Sequence, residues 1–450
     1  NQSDPVQITS GEIYQRTESD PGAIAIDFVG LQTTGSLNSP YINKTTYGAQ
    51  YNRTCDFAKE EGQRCRDSEG KEKSWLGIQG QNLRLCRPHA DYPRRSYEGV
   101  AAASAAYLYQ AAKAYESALG HGAPQPVELW ILPEFKESYQ NYRSKGKEYI
   151  LDTYIVNNLA YFPGSKAIAV FPEKHNSLGT ASEAFWESPF VLAHEFGHHV
   201  ESLLTPAEVT SSSLTWDPIS HSYKSLTVGL EEAKSLRVLG HKFKLEKVKG
   251  SLSEGFADLI AYYSLAGDRE SLLPLPCGLS CNRDIVAAEF YGGDKKELSD
   301  TTIEYLFGLQ SHAPCHEKGY EPCLAEIHNV GAIFSYALNR LAKQLTEARA
   351  GIEPGSAQDF QSRYQLLARW YETVVLEMDK TDFALVEDNR DFFAAVSKGI
   401  EAMTEMALTQ FALYPGDSSK QTELKRTVCE TALEDLSALS TPPFGTTDGC

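Results

Sequence analysis

The sequence contains no run approaching 18 uninterrupted apolar residues. The richest stretch, Val100 to Tyr115, is an Ala- and Tyr-rich segment interrupted by Ser104, Gln110 and Lys113, so no transmembrane span is expected. Positive charge is in short supply: 42 Lys and Arg stand against 60 Asp and Glu, a net charge of −18. That excess repels phosphate backbones and anionic lipid, and it excludes nucleic acid as a main partner. No internal repeat or low-complexity tract appears. No cysteine pair has the two-residue spacing of a zinc knuckle or a thioredoxin motif, the nearest being Cys277-Gly-Leu-Ser-Cys281. The chain opens on Asn1 without a leader pattern, as a processed or truncated chain also would, so that absence does not argue for the cytosol.

What is present has the balance of a globular protein, 42% hydrophobic and 23% charged. At 450 residues it exceeds one ordinary core, and two or three domains packed around a cleft are expected. Six of the nine cysteines fall in three close pairs in polar loops: Cys55 with Cys65, Cys277 with Cys281, Cys315 with Cys323. They read as disulfides rather than buried thiols, which places the chain in an oxidising compartment, secreted, periplasmic or at the cell surface. An odd ninth cysteine remains over.

The texture changes along the chain. Residues 1–95 are rich in Gly, Thr, Ser, Asn and Tyr, with alternating runs such as Ala23 to Val29, and read as a β-rich, Cys-containing segment. Residues 96–265 are mixed. A long helix is predicted over Gly99–Leu119, then strands over Val127–Leu132, Tyr149–Asn157 and Lys166–Phe171. A further helix opens with Ser188 as cap and Pro189 at its first position. A segment of about 205 to 250, Ser/Thr-rich at first and basic later, reads as a flap. Residues 266–450 become mainly helical, with apolar residues at helical spacing over His328–Leu345, Asp359–Met378, Asp391–Leu413 and Lys420–Leu436.

The chemistry-bearing pattern is His194-Glu195-Phe196-Gly197-His198. Histidines four apart sit one turn above each other, so both imidazoles reach one ion, and the intervening Glu195 leans towards a water beside it. With 11 histidines in the chain, chance produces the pattern roughly once in fifty such sequences. Val191, Leu192, Ala193, Phe196 and Val200 make the helix a buried one, where two unliganded histidines would be costly. His199 points off the ligand face and reads as structural. Gly197 costs about 1 kcal/mol relative to Ala in mid-helix, tolerable where another backbone must come close. A third ligand is needed. Glu201 and Leu204 stand where a metzincin has Gly and His, which excludes that class. Downstream, Glu254 and Asp258 lie four apart on an otherwise apolar helix, Ser253 to Ala261. Glu254 is the candidate third ligand, and Asp258 a candidate acceptor for the outer N–H of a liganding histidine. His241 competes with Glu254 but sits in a Lys-rich stretch.

HExxH followed by ExxxD resembles the gluzincin signature, and the surroundings are similar to thermolysin-like and fungalysin-like peptidases. Tyr97-Glu98-Gly99-Val100, Asn158-Leu159-Ala160-Tyr161-Phe162, the two ligand helices and His328-Asn329-Val330-Gly331 follow in the family's order, covering about residues 95 to 345. The resemblance implies an α+β thermolysin-like zincin, with a mixed sheet and zinc helix in its N-terminal lobe, a helical C-terminal lobe and a cleft between. It implies Zn2+ held by His194, His198 and Glu254, with Glu195 as general base and His328 stabilising the oxyanion. It implies an edge strand that binds substrate backbone at Asn158 and Ala160, and Val191 lining the pocket after the scissile bond. Calcium is a second ion it suggests, although Asp379, Asp382, Glu387, Asp388 and Asp391 read as solvated faces. The long interval between His198 and Glu254 is closer to neprilysin-like spacing than to thermolysin. Cys323 stands where an acid supports the second catalytic histidine, with Glu326 the candidate substitute. Arg283 is the candidate for an arginine that orients the substrate carbonyl.

The expected activity is endopeptidase action on peptide or protein substrates by a monomer, since the Gly-x-Met-Glu-Asn segment of the clan's aminopeptidases is missing. The alternatives are a catalytically inactive zinc-binding scaffold and a specialised peptidase that processes one partner protein.

Overall fold

The structure, a computed structural model, describes residues 11–14, 23–26, 37–56, 66–67, 80–86, 96–144, 147–154, 158–172, 186, 188–205, 214–217, 222–225, 235–238, 241–266, 327–380 and 389–436. Its class is α+β. The strands are β1 (Gly11–Tyr14), β2 (Ala23–Ile26), β3 (Ile42–Tyr47), β4 (Gln50–Asp56), β5 (Arg66–Asp67), β6 (Gln81–Asn82), β7 (Val127–Ile131), β8 (Glu134–Ser144), β9 (Lys147–Tyr154), β10 (Leu159–Phe162), β11 (Ala167–Val170), β12 (Leu214–Asp217), β13 (Ser222–Ser225), β14 (Ser235–Val238) and β15 (His241–Lys244). The helices among the described residues are α1 (Tyr97–Leu119), α2 (Pro189–Leu204), α3 (Leu245–Ser264), α4 (Ile327–Glu347), α5 (Ala357–Lys380), α6 (Asn389–Thr409) and α7 (Ser418–Leu436).

The chain forms two compact units, the first Asn1–Lys113, Ala123–Phe196 and Leu273–Pro276, the second Ala114–Gly122, Gly197–Leu272 and Cys277–Cys450. The first is organised by a five-stranded mixed sheet in the order β10-β11-β7-β3-β6. β7 lies parallel to both β3 and β11, while β10 and β6 run antiparallel at the two edges. Every residue of β11 is buried, as befits a strand covered on both faces. Trp130, Phe135, Phe162 and Phe171 pack around the small residues Ala167 and Ala169 of that strand. A second sheet, β5-β4-β8-β9, stands in the same unit. The predicted division at residue 95 thus cuts across one sheet: β3 and β6 come from before it, β7, β10 and β11 from after it.

α1 begins as its sequence dictates. Ser96 accepts the Gly99 N–H on its hydroxyl at 3.0 Å, and Gly120 ends the helix with a φ of 67°, a left-handed turn that glycine adopts without steric cost. The segment read as a flap carries two antiparallel hairpins, β12-β13 and β14-β15, before α3 starts at Leu245.

The second unit is mainly helical, and small residues set close approaches between its helices. Gly255 on α3 and Gly331 on α4 face each other, and a Cβ at Gly331 would lie 2.7 Å from the Ser251 carbonyl. Ser335 on α4 donates to the Gly255 carbonyl at 2.9 Å. On α6, a Cβ at Gly399 would lie 2.6 Å from the Trp370 ring of α5. Arg340 ties α4 to α7 through Asp435 at 2.8 Å and Glu434 at 3.2 Å.

α5 opens with a reciprocal cap: Asp359 donates its N–H to the Ser356 hydroxyl, and its carboxylate accepts the Gly355 N–H at 2.7 Å. The same carboxylate grips Arg363, Nη2 to Oδ2 2.5 Å, with both side chains nearly excluded from solvent. Burial alone would push Asp359 up, but hydrogen bonds from Arg363, Thr346 and Gly355 hold its carboxyl below the usual range. A depressed carboxylate adds stability above its unfolded value and withdraws it as pH falls through the folded one. Asp359→Ala, which strands a buried guanidinium, is expected to destabilise the protein by about 3–5 kcal/mol. The loss should shrink as wild type and variant are compared below about pH 4, measured by chemical denaturation.

Candidate metal centre

α2 starts where Pro189 can serve without its missing N–H. The Ser188 carbonyl accepts the Leu192 N–H at 3.4 Å, so Ser188 holds the capping position. Its buried hydroxyl, however, makes no protein hydrogen bond, and the cap rests on backbone alone. From Pro189 to Glu201 every side chain of α2 is buried except the half-buried Val191.

The helix carries His194 and His198 to one side, where Glu254 of α3 meets them. One ligand atom from each of the three lies within 4.8 Å of the others, and all three residues are buried. His198 Nε2 is 3.6 Å from Glu254 Oε2. Two ligands at ~2.1 Å bond lengths and a tetrahedral angle would stand about 3.4 Å apart, so the spacing fits a shared ion. Two imidazoles and a carboxylate, held by two helices at this separation, are a donor set that suits a divalent cation. This group could hold a metal ion.

Gly197 accounts for the short distance between the helices. A Cβ there would stand 2.7 Å from the Ala257 Cα and 3.0 Å from its carbonyl oxygen, the close approach that its mid-helix cost anticipates. Gly197→Ala is expected to lose about 1–3 kcal/mol by overpacking and to weaken metal binding as α3 is displaced. Thermal unfolding of the metal-free variant and chelator competition would measure the two effects, and wild-type values in both would show that the approach is not needed.

His198 is held from its other ring nitrogen. Nδ1 stands 2.8 Å from Glu201 Oε2, and the same oxygen accepts the Ser253 hydroxyl at 2.6 Å. Burial opposes charge on this ring, but the Glu254 charge and the Glu201 hydrogen bond outweigh it and raise its proton affinity well above that of an ordinary imidazole. Burial likewise lifts the Glu201 carboxyl, against the lowering effect of His198 and Ser253. His199 is fully buried, a structural histidine, with Ser202 Oγ 3.5 Å from its Nδ1.

Glu195 sits beside β10, whose Tyr161 N–H donates to Glu195 Oε2 at 2.8 Å. The register of that edge follows from two bonds. Phe171 N–H donates to the Asn158 carbonyl at 2.9 Å, so Asn158 and Ala160 face inward to β11, and Leu159 and Tyr161 face outward. The Leu159 N–H is taken by Asn158 Oδ1 at 2.9 Å. The Ala160 backbone, the substrate contact expected from sequence, faces β11 in this register.

Asp258 is wholly buried on α3, one turn beyond Glu254. His328 stands in the first turn of α4 and His241 opens β15, but their side chains lie outside the described residues. So do Arg283, Glu326, the cysteine pairs expected to form disulfides, and the acidic cluster from Asp382 to Asp388. Cys429 on α7 is disulfide-bonded.

Glu201, Ser253 and the Tyr161 N–H are the parts of the site that sequence reading missed. Glu201 was legible: it follows His198 by three, the spacing that puts two side chains on one helix face. No protein-family model matches the chain, and no curated protein or solved structure is significantly similar to it.

Proposed function

We propose that the chain is a zinc-dependent endopeptidase of gluzincin type. The observation that supports this most is the buried His194, His198 and Glu254 group, whose two histidines lie on the helix that also carries Glu195, which a sheet edge meets at 2.8 Å. Zinc, when bound, would polarise a peptide carbonyl and make a neighbouring water more acidic. The chain's own residues would do the rest. With Oε2 oriented by Tyr161, Glu195 would take the water's proton on its other oxygen and pass it to the leaving amine. The β10 edge, from Asn158 to Phe162, would hold an extended substrate by backbone hydrogen bonds, Val191 would line the pocket after the scissile bond, and His328 would stabilise the oxyanion. Asp258 would orient the outer nitrogen of His194. Secretion or another oxidising location belongs to the same reading and rests on the cysteine pairs.

The test is elemental analysis of the purified chain beside a peptide-library digest, with and without chelator. One zinc per chain and chelator-sensitive internal cleavage are the expected results. Zinc without cleavage of any peptide would turn the reading towards a binding scaffold, and no metal at all would end it.

A further inference from the structure

The ligand His198 has two ring nitrogens with different neighbours. Nε2 faces Glu254 Oε2 at 3.6 Å, and Nδ1 faces Glu201 Oε2 at 2.8 Å. For Nε2 to offer a lone pair to an ion, the ring proton must sit on Nδ1. Glu201, ionised, is an acceptor only, so its hydrogen bond selects that tautomer and fixes the plane of the ring. The same oxygen takes a second donor, Ser253 Oγ, at 2.6 Å, a length typical of a hydroxyl on a carboxylate. Ser253 Oγ is itself 3.3 Å from His198 Nδ1, so three groups close a triangle around one oxygen. All three are buried, and water has little part in holding them.

The placement of the triangle matters as much as its bonds. Glu201 shares α2 with His198, and Ser253 immediately precedes the ligand Glu254 on α3. One carboxylate oxygen thus fixes a ligand of the first helix and the residue beside a ligand of the second. We propose that Glu201 is a positioning residue of the metal centre, which holds His198 in its ion-binding tautomer and, through Ser253, sets the distance from His198 to Glu254. This rests on the reading of His194, His198 and Glu254 as a metal site, and it does not depend on the reaction catalysed there.

Three variants test it, with zinc alone as the probe and affinity measured by chelator competition on the full chain. Glu201→Ala removes both bonds and is expected to weaken zinc binding by about 10–100-fold. Glu201→Gln keeps an acceptor for Nδ1–H and is expected to recover a large part of that loss. Ser253→Ala leaves the His198 bond in place and is expected to lose less than Glu201→Ala. Cobalt substitution adds a signature: the visible absorption of the Glu201→Ala complex should shift from wild type, since the ring that binds is no longer held. A residue that merely joined two helices would lower the unfolding temperature of the metal-free protein and leave affinity and spectrum alone. Folded Glu201→Ala with zinc affinity within twofold of wild type would overturn the proposal. Should that variant not fold, Glu201→Gln and Ser253→Ala both at wild-type affinity and spectrum would overturn it equally. A wild-type chain that binds no zinc would instead sink the metal-site reading beneath it, and the two failures are told apart by the wild-type measurement.

Discussion

Glu195→Gln is expected to bind zinc in the wild-type ratio and to lose about 10²–10⁴-fold in peptide cleavage. The substitution is nearly isosteric, and an amide oxygen can still accept the Tyr161 N–H that meets Oε2 at 2.8 Å. The position of the side chain against β10 should therefore survive. What is lost is a group able to take a proton from water and return it to a leaving amine. Glu195 does not belong to the His194, His198 and Glu254 group, so metal content should be unaffected. The pairing of intact stoichiometry with collapsed turnover distinguishes a base from a ligand. Turnover near wild type would remove Glu195 from the role, and loss of zinc would make it part of the binding site.

Glu254→Ala is expected to lose tightly bound metal altogether, read by elemental analysis after dialysis. The carboxylate is the only contribution of α3 to the three-residue group, and two imidazoles from one helix form an open, weak site. Retained zinc would point to another third ligand, with His241 the first to examine. Acid should imitate the substitution. Glu254 and Glu201 raise the proton affinity of His198 against its burial, so protons compete with the ion at that ring, and metal should be released as pH falls through the raised value. Without metal the sign reverses. A histidine whose folded proton affinity is raised stabilises most below about pH 6.5, and the benefit disappears as pH climbs through the folded value. Metal-free and metal-loaded proteins should therefore show opposite pH trends in unfolding temperature, as far as this ring governs them.

The candidate ligands were legible because helical geometry is local. Four-residue spacing puts His194 above His198 whatever the tertiary fold, and Glu254 was found because an acid on an apolar helix needs a partner. The long helices were legible for the same reason: α1 and α4 to α7 lie within a few residues of their expected bounds. The sheet was not. Predicted strands matched β7, β9 and β11, but nothing in Ile42–Tyr47 announces that it will lie parallel to Val127–Ile131, since strand partners are chosen by tertiary packing. Which backbone groups of β10 turn towards β11 was not legible either, since that is set by its pairing. The hydrogen bond from a sheet edge to Glu195 joins residues 34 apart, and no periodicity reports it.

The place of β3 bears on how the chain can be matured. Its backbone is bonded on both sides, to β7 along most of its length and to β6 at its end. Removing the chain up to about residue 95 would take β3 and β6 out of the sheet and leave β7 as its border. The stretch from Tyr41 to Tyr47 is built into that framework, with Tyr41 accepting the Val127 N–H at 2.9 Å. A cut that spares the sheet must fall upstream of Tyr41.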